Sequence, residues 1–377
     1  MIDKKHEILE QDSLKVKVFT HNDLDGVSCA LVLKKLYSNK NISFNFQFIG
    51  YNQYDEIRKF FDFENGEARL FDYVFITDLN FTRQNYELYL ELPLIDYFSE
   101  RNAYHNKDVN NIFKKIFFID HHKDSEQLFR NRSIPMFDCI EYYNDMMHCA
   151  AWQLAEWCIH KSSSEWVSAT LGSENKDYNT NVEWVRHYTD IVNDWDTFNW
   201  KNNHNLVARD LNLLFTHIKR EKFFLMQEQK VSPRFAFNKS EKTIIKETIE
   251  SIEKEYKRAL DSSIVLDHIN QHGQVFPDQQ YIVIRSDENI SLICDIIKEN
   301  ILNKRIYIRY NIKYIVNVSF KYGSLNFRRI DDSINLAEIA NWYGGGGHPF
   351  AAGCQINSKD NNQMQRFILP ILSKYGR

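Results

Sequence analysis

The sequence predicts an α/β protein: an N-terminal domain built on a mostly parallel sheet, a helical connector, and a smaller C-terminal α/β domain. Three short apolar runs, Lys15–Thr20 (KVKVFT), Tyr73–Asp78 (YVFITD) and Lys115–Asp120 (KIFFID), are typical of strands buried on both faces of a sheet. Helical or irregular stretches separate these runs, as connections between parallel strands require. Short β-rich runs return from Ser263 onward, which indicates a second α/β domain.

Each helix is predicted from apolar residues at helical spacing. The N-terminal domain has three such stretches, Val27–Tyr37, His148–Ile159 and Asn181–Asn193. A fourth, in the connector, carries one apolar stripe that favours a packing surface over a partner-binding site. The stripe consists of Ile245, Ile249, Ile252, Tyr256 and Leu260.

The C-terminal domain is predicted from runs of β-branched and aromatic residues. These runs are IVL (264–266), YIVIR (281–285), RIYIRY (305–310), YIVNVSF (314–320) and SLNFRR (324–329). The predicted domain limits are therefore 1–202 for the N-terminal domain, 203–262 for the connector and 263–377 for the C-terminal domain.

With 377 residues the chain is long enough for two domains, and its 43% hydrophobic and 26% charged residues are ordinary for a globular protein. Its first residues lack the apolar core of a signal peptide, and no run approaches the ~18 apolar residues of a membrane span. We therefore expect a soluble, cytoplasmic protein with no membrane partner. Six cysteines are scattered without a CxxC pair, so we expect buried, reduced thiols rather than a zinc site or disulfides.

The net charge of −4 is distributed unevenly. Residues 1–200 carry 21 Lys and Arg against 32 Asp and Glu, a net charge of −11. Residues 201–260 carry 13 against 8, a net charge of +5. Solvated surface charge is one interpretation. The other is that the acidic half concentrates cation-binding carboxylates while the remainder tolerates a polyanion, and charge alone does not decide between them.

Acidic residues and histidines follow each of the three predicted strands. HNDLDG (His21–Gly26) follows the first strand, Asp78 closes the second, and DHH (Asp120–His122) ends the third. Because the carboxyl ends of parallel strands meet at one edge of a sheet, these groups should converge there. Turn chemistry and a helix N-cap would also explain HNDLDG taken alone, with Gly26 allowing a tight turn.

A further carboxylate comes from DWDTFNW, where Asp196 and Asp194 compete for the assignment. Oxygen ligands with a minority of imidazoles suit Mn²⁺ or Mg²⁺ better than a thiolate-loving metal. Six or seven such ligands exceed what one ion needs once water and substrate are bound. They suffice for two ions about 3.5–4 Å apart that share a carboxylate and stabilise charge on phosphoryl oxygens. The sequence thus predicts a two-metal site.

A glycine-rich segment, GGGGHPFAAG (Gly344–Gly353), follows the apolar, helix-like stretch INLAEIANWY. Glycines expose backbone N–H groups with no Cβ in the way, which suits close approach of a phosphate or a base. A flexible linker is the alternative, but linkers do not end in HPFAAG. Upstream, Arg328 and Arg329 offer guanidinium groups for phosphate oxygens, although only one of two adjacent strand residues can face a given side.

The motifs HNDLDG, FITD, FFIDHH, DWDTFNW and GGGGHPFAAG occur in this order along nearly the whole chain. This arrangement resembles the DHH phosphoesterase superfamily with its associated C-terminal substrate-binding domain. Three features are most similar to oligoribonucleases of the NrnB type: the two-residue spacing of His21 and Asp23, the DWDTFNW motif, and the single C-terminal domain. The resemblance implies a metal-dependent hydrolase that acts as an exonuclease on phosphodiester bonds.

The implied function is hydrolysis of short oligoribonucleotides to nucleoside monophosphates by two-metal catalysis, with two Mn²⁺ ions or with Mg²⁺ in their place. Short RNA or DNA oligonucleotides and dinucleotides are the expected partners, and a homodimer is left open. One alternative is a phosphodiesterase of linear or cyclic dinucleotides, or a pAp phosphatase. Another is a catalytically inactive DHH module that binds nucleic acid, which is disfavoured because every expected ligand is present.

The resemblance also implies which residues bind metal and which perform catalysis. One Mn²⁺ would be bound by His21, Asp23 and Asp78. The second would be bound by Asp25, Asp78, His121 and Asp196. His122 would meet the scissile phosphate, and Asp120 would support the paired histidines.

Substrate phosphate or the terminal nucleotide would be held by the C-terminal domain. The residues implied are Arg328, Gly345, Gly346, Gly347 and His348. The chain departs from the family in two places. The Leu79–Lys115 connection is long, with the polar stretch Ser99–Asn111 predicted to be an insertion, and Phe198 stands where the family has Trp.

Overall fold

The computed structural model describes residues 13–37, 42–50, 52–97, 115–130, 140–161 and 176–375. The chain divides between Ile244 and Ile245 into two compact parts, called here the first unit and the second unit. The first unit contains a five-stranded sheet and the second a six-stranded sheet, each with its own helices. The predicted α/β fold class is therefore confirmed. The domain limits 1–202, 203–262 and 263–377 stay a prediction.

The sheet of the first unit is parallel throughout its described strands. The strands are β1 (Leu14–His21), β2 (Ile42–Ile49), β3 (Tyr73–Thr77), β4 (Lys115–Asp120) and β5 (Ile140–Asn144). Their order is β2-β1-β3-β4-β5, so the three strands predicted from the sequence occupy the centre. The strand order reverses between β1 and β3, where a crevice opens at the carboxyl edge of such sheets.

The central strands are buried on both faces, which explains their continuous apolar sequences. In β4, Phe117 packs against Trp157 on one face, while Phe118 packs against Phe81 and Tyr142 on the other. The edge strands β2 and β5 are only partly buried, and β2 alternates phenylalanine with polar residues. Neither edge strand was predicted, because the sequence analysis relied on continuous apolar runs.

Helices surround this sheet, and α1, α5 and α6 pack against one another. The helices of the first unit are α1 (Leu24–Tyr37), α2 (Asp55–Phe60), α3 (Arg83–Tyr86), α4 (Lys123–Arg130), α5 (Ala150–Glu156), α6 (Lys176–Asp196), α7 (Asn199–Asn202), α8 (Leu206–His217) and α9 (Arg220–Glu228). The next helix, α10 (Lys239–Asp261), contains the division between the two units. A 3₁₀ turn covers Ala68–Leu70, and π-helical turns cover Glu87–Glu91 and Trp157–Lys161.

The predicted helices are present with shifted ends. α1 begins three residues before the predicted Val27, and α6 extends the predicted Asn181–Asn193 at both ends. α5 begins after Cys149, which has extended backbone angles, and therefore starts later than the predicted His148. The polar stretch 99–111, predicted to be an insertion, lies outside the described residues.

The second unit contains a mixed sheet. Its elements are β6 (Ile264–Ile269), β7 (Val275–Arg285), α11 (Ile290–Leu302), β8 (Ile312–Ser319), β9 (Ser324–Arg329), α12 (Leu336–Asn341), β10 (Gly346–His348), β11 (Ala351–Gln355), α13 (Asn361–Gln363), a π-helical turn (Met364–Ile368) and α14 (Leu369–Tyr375). The strand order is β10-β11-β9-β8-β7-β6. Only β7 and β8 pair in parallel, because α11 makes the crossover between them.

One predicted β-rich run is wrong. RIYIRY (305–310) forms turns between α11 and β8 instead of a strand. Lys304 and Tyr307 have φ angles of 54° and 53°, and this left-handed conformation interrupts an extended backbone. The Tyr307 hydroxyl shares a hydrogen bond with Ser263, so the aromatic residue of this run belongs to a packed turn.

The described cysteines are buried and form no disulfide bond with one another, as expected. They are Cys29, Cys149, Cys158, Cys294 and Cys354, and Cys139 lies outside the described residues. Burial raises the pKa of the Cys158 thiol to about 12, so this thiol stays protonated at neutral pH. In the part of the chain that the structure describes, no helix combines the length and the apolar character needed to cross a bilayer.

Candidate metal centre

The three central strands of the first unit bring candidate ligands to one edge of the sheet. β1 ends at His21, Asp78 follows β3 directly, and β4 ends at Asp120. All three residues are buried, and Asp120 has no exposed surface. Ionisable groups in such a position are costly unless they bind something charged, so this edge is the candidate functional site.

The HNDLDG loop is fixed by close packing of α1 against the end of β1. A Cβ on Gly26 would lie 2.2 Å from the carbonyl oxygen of His21. Gly26 therefore serves a close approach inside α1 rather than a turn with unusual backbone angles. His21 Nδ1 lies 2.8 Å from Asp23 Oδ2. Burial opposes ionisation of Asp23, but its hydrogen bond with His21 lowers the pKa of Asp23 overall.

Asp78 has a backbone conformation that few non-glycine residues adopt. Its φ is 55°, in the left-handed region, where strain is commonly associated with functional sites. Its Oδ2 atom is buried and has no hydrogen-bond partner among the described residues. Burial, followed by repulsion from Asp25 and Asp23, raises the pKa of Asp78 well above the ordinary 3.8. A bound cation would offset the repulsion and satisfy the unpaired oxygen.

Asp25 lies in the first turn of α1 and is held by the N-terminus of α5. The backbone N–H groups of Ala150 and Ala151 donate to its two carboxylate oxygens at 2.8 and 2.9 Å. These bonds orient the carboxylate, as outer hydrogen bonds commonly orient metal ligands. Burial nevertheless raises the pKa of Asp25.

His121 lies among three carboxylates. Its Nε2 atom is 3.4 Å from Asp78 Oδ1, 3.5 Å from Asp196 Oδ2 and 3.8 Å from Asp25 Oδ2. These separations are too long for strong hydrogen bonds. They are suitable for side chains that share a cation between them.

The two aspartates near the end of α6 have different surroundings. Asp196 approaches His121, and burial, followed by repulsion from Asp25, raises the pKa of Asp196 well above the ordinary 3.8. Asp194 instead accepts hydrogen bonds from the side chains of Asn203 and Asn205 at 3.2 and 2.7 Å. Of the two competing residues, only Asp196 belongs to the cluster of candidate ligands.

His122 forms a pair with Asp120. The distance between His122 Nδ1 and Asp120 Oδ1 is 2.7 Å. Burial alone would lower the pKa of His122, but the hydrogen bond and the charge of Asp120 raise it overall. The second oxygen of Asp120 is buried without a hydrogen-bond partner among the described residues.

The candidate ligands form one contiguous cluster. In three groups, the ligand atoms lie within 4.8 Å of one another: His21, Asp23 and Asp78; Asp25, His121 and Asp196; Asp78, His121 and His122. Asp78 belongs to the first and third of these groups, and His121 belongs to the second and third. Together the three groups contain every predicted metal ligand. Carboxylates with a minority of imidazoles are a donor set that fits a divalent cation.

β5 ends at the same edge of the sheet and was not predicted from the sequence. Asn144 pairs with Asp120 across β4 and β5, and the next residue, Asp145, accepts a hydrogen bond from His148 Nδ1 at 2.7 Å. The buried Gln153 holds this loop through hydrogen bonds to the backbone of Asp145 and His148. The signal was present as an Asp and a His after a strand end, but that strand had not been identified.

The predicted substrate-binding residues lie in the second unit, on β9 and the β10–β11 hairpin. Ala351 is the register partner of both Arg328 and His348. Cross-strand partners share a face, so Arg328 and His348 lie on the same face of the sheet, whereas Arg329 lies on the other. Arg328 Nε is 3.6 Å from Asp295 Oδ1. A guanidinium and an imidazole on one face suit an anionic ligand.

The glycines of GGGGHPFAAG are required in part by the hairpin itself. A Cβ on Gly345 would lie 2.1 Å from the carbonyl oxygen of Gly353, and one on Gly347 would lie 2.6 Å from Cα of Ala352. At Gly346 the nearest atom would be 3.8 Å away. Close backbone approach therefore explains Gly345 and Gly347 without any ligand, while Gly346 has no such structural requirement.

This difference predicts that Gly345→Ala destabilises the protein and Gly346→Ala does not. The methyl group at position 345 should lower the free energy of unfolding by about 1–3 kcal/mol, as overpacking does. The methyl group at position 346 should change it by less than about 0.5 kcal/mol. Denaturant unfolding of both variants measures these changes. Equal stability of the two variants would contradict the observed packing of β10 against β11.

No known protein-family model matches the chain. The chain is 25% identical to oligoribonuclease NrnB of Bacillus subtilis (strain 168) over 346 residues, which cover 91% of this chain and 73% of NrnB.

Solved structures show more distant similarity. The pGpG-specific phosphodiesterase PggH from Vibrio cholerae is 14% identical, with 97% of this chain and 99% of that chain covered and a TM-score of 0.40. RecJ from Thermus thermophilus, in complex with Mn²⁺, is 12% identical, with 96% and 52% covered and a TM-score of 0.42. These TM-scores are too low to assign a site or a function. The ordered motifs and the similarity to NrnB confirm the resemblance: the chain is similar to DHH-type phosphoesterases and, among them, to NrnB-type oligoribonucleases.

Proposed function

We propose that the chain is a cytoplasmic phosphodiesterase that releases nucleoside monophosphates from short oligoribonucleotides. It uses two divalent cations, for which Mn²⁺ is the first choice. The observation that carries this proposal is the convergence of six predicted ligands, far apart in sequence, in one cluster at the carboxyl edge of the sheet. The similarity to an oligoribonuclease supports the substrate class.

Two overlapping ligand sets support two cations. We assign His21, Asp23 and Asp78 to one cation. We assign Asp25, Asp78, His121 and Asp196 to the other. Asp78 is suited to bridge them because its ligand atoms lie close both to His21 and Asp23 and to His121. Its left-handed backbone and its unpaired buried oxygen support the same role.

When bound, the cations would stabilise charge on the phosphoryl oxygens and lower the pKa of a water nucleophile. The protein's own contribution is position and charge. Asp120 accepts a hydrogen bond from the N–H group at His122 Nδ1 and thereby fixes the orientation of the ring. We assign the other ring nitrogen, Nε2, to the scissile phosphate, because Nδ1 is already bonded to Asp120.

We further assign the binding of the substrate's phosphate or terminal nucleotide to the second unit. The residues are Arg328, Gly345, Gly346, Gly347 and His348. The shared face of Arg328 and His348 supports this assignment, as does the open space beside Gly346.

The test is metal-dependent release of mononucleotides from a labelled RNA series, from dimer to pentamer, with Mn²⁺, with Mg²⁺ and with a chelator. We expect release with either metal and none with the chelator. No release from any length at saturating metal would reject the nuclease proposal. Linear and cyclic dinucleotides and pAp are tested in parallel. If one of them is hydrolysed faster than short RNA, that compound is the preferred substrate instead.

A further inference from the structure

The turn after Asp196, a candidate ligand, carries an exposed aromatic ring, that of Phe198. Phe198 is 66% exposed, although phenylalanine is among the residues most often buried in proteins. Two consecutive Cα–Cα steps span at most about 7.6 Å, so the Cα atom of Phe198 lies within about 7.6 Å of the Cα atom of Asp196. Packing against the protein does not account for this ring.

The backbone at Phe198 is strained. Its φ and ψ angles are 60° and 9°, in the left-handed region, which is an outlier for a bulky residue. Residues in this conformation persist where the surrounding structure fixes them, and they cluster at functional sites. Among the described residues Asp78, the proposed bridging ligand, shares this conformation, as do His204, Asn289, Lys304 and Tyr307.

The turn that contains Phe198 is held from both sides. Asp194 accepts hydrogen bonds from the side chains of Asn203 and Asn205, which lie beyond the turn. The backbone N–H of Phe198 donates to the carbonyl oxygen of Trp195 at 3.1 Å. These contacts keep the strained backbone of the turn in place, and with it the position from which the exposed ring projects.

We propose that Phe198 stacks against the nucleobase next to the scissile phosphate. Stacking between an aromatic ring and a base tolerates any base, since every base has a π face. Phenylalanine has no hydrogen-bonding group, so this contact adds affinity without selecting a sequence. The inference rests on the proposed function and adds one nucleobase to the recognised part of the substrate.

A double-mutant cycle between Phe198 and the base tests the stacking. The substrates are an RNA dinucleotide and two analogues in which one or the other base is replaced by hydrogen. Phe198→Ala should raise KM for the intact dinucleotide by about tenfold or more, with little change in kcat. It should raise KM far less for the analogue that lacks the stacked base. An equal rise on all three substrates would overturn the proposal.

Three further variants separate stacking from a structural role. Phe198→Trp should retain the KM of the wild type, because it keeps a ring. Phe198→Gly removes the ring and relieves the left-handed strain, so it should raise KM without lowering the melting temperature. Leu225→Ala removes another exposed apolar side chain of the first unit and should leave KM unchanged. A Phe198→Gly protein that melts below the wild type would give the ring a structural role and contradict the proposal.

Equilibrium binding distinguishes this inference from the proposed function. A methylphosphonate dinucleotide, which resists hydrolysis, is titrated into wild-type and Phe198→Ala protein with Mn²⁺ in a calorimeter. Weaker binding by Phe198→Ala supports stacking even if the wild type hydrolyses no RNA, in which case only the proposed function fails. Equal binding by both proteins, together with normal RNA hydrolysis, would reject the stacking proposal and leave the proposed function intact.

Discussion

Asp196→Asn is expected to lower kcat for an RNA dinucleotide by about 10²–10³-fold and to reduce the bound Mn²⁺ from two ions per chain to one. The amide keeps the shape of the side chain but removes its charge. Asp196 Oδ2 lies 3.5 Å from His121 Nε2, in one ligand group with Asp25. Steady-state kinetics and metal analysis of the purified protein measure the two effects.

Asp194→Asn is the matched control, with the same chemical change two residues earlier on α6. Asp194 is bonded to Asn203 and Asn205 and takes no part in the cluster, so this variant should keep kcat within a few fold and bind two ions. Asn203 and Asn205 donate to different oxygens of Asp194, so an asparagine keeps only one of these two acceptors, and the control is therefore read on kcat and bound metal rather than on KM. If Asp194→Asn lost activity while Asp196→Asn retained it, the assignment of the two residues would be reversed.

Asp78→Asn is expected to abolish activity and yet to raise the melting temperature of the metal-free protein. Asp78 is buried beside other carboxylates, and one of its oxygens has no partner, so its charge destabilises the fold when no cation is bound. Each kcal/mol recovered should raise the melting temperature by roughly 2–4 °C. Calorimetric scans in a chelator measure the effect, and a lower melting temperature would contradict it.

The same carboxylates give the stability of the metal-free protein a definite pH dependence. Burial first, and then neighbouring carboxylates, raise the pKa values of Asp78 and Asp196 above the ordinary 3.8. At a pH between the carboxyl pKa of the unfolded chain and the raised pKa of the folded protein, these carboxyl groups are protonated in the folded state and ionised in the unfolded state. The free energy of unfolding therefore falls as the pH rises. We expect the metal-free melting temperature to decrease as the pH rises above the ordinary carboxyl pKa of 3.8, with a smaller decrease in Asp78→Asn.

The convergence of the candidate ligands was predictable, because several of them follow buried central strands. β3 and β4 have continuous apolar sequences, and Asp78 and Asp120 stand directly at or after their ends. Parallel strands then place these groups at one edge, whatever the intervening chain does. Asp194 and Asp196 could not be separated, because their difference lies in the contacts of Asn203 and Asn205, which the sequence does not reveal.

Other features depend on tertiary contacts that leave little trace in the sequence. β2 and β5 lie at the sheet edges and lack a continuous apolar run, so the pair of Asp145 and His148 after β5 was missed. The run at 305–310 has the composition of a strand, but left-handed residues such as Tyr307 fold it into turns. Phe198 was noted only as a departure from a family motif, since neither its exposure nor its φ can be read from the sequence.

The most direct measurement is anomalous diffraction from crystals grown with Mn²⁺. We expect two anomalous peaks about 3.5–4 Å apart at the carboxyl edge of the first unit's sheet, with Asp78 between them. One peak should contact His21, and the other should contact His121 and Asp196. Peaks elsewhere in the molecule, or none at this edge with Mn²⁺ in excess, would contradict the two-metal account.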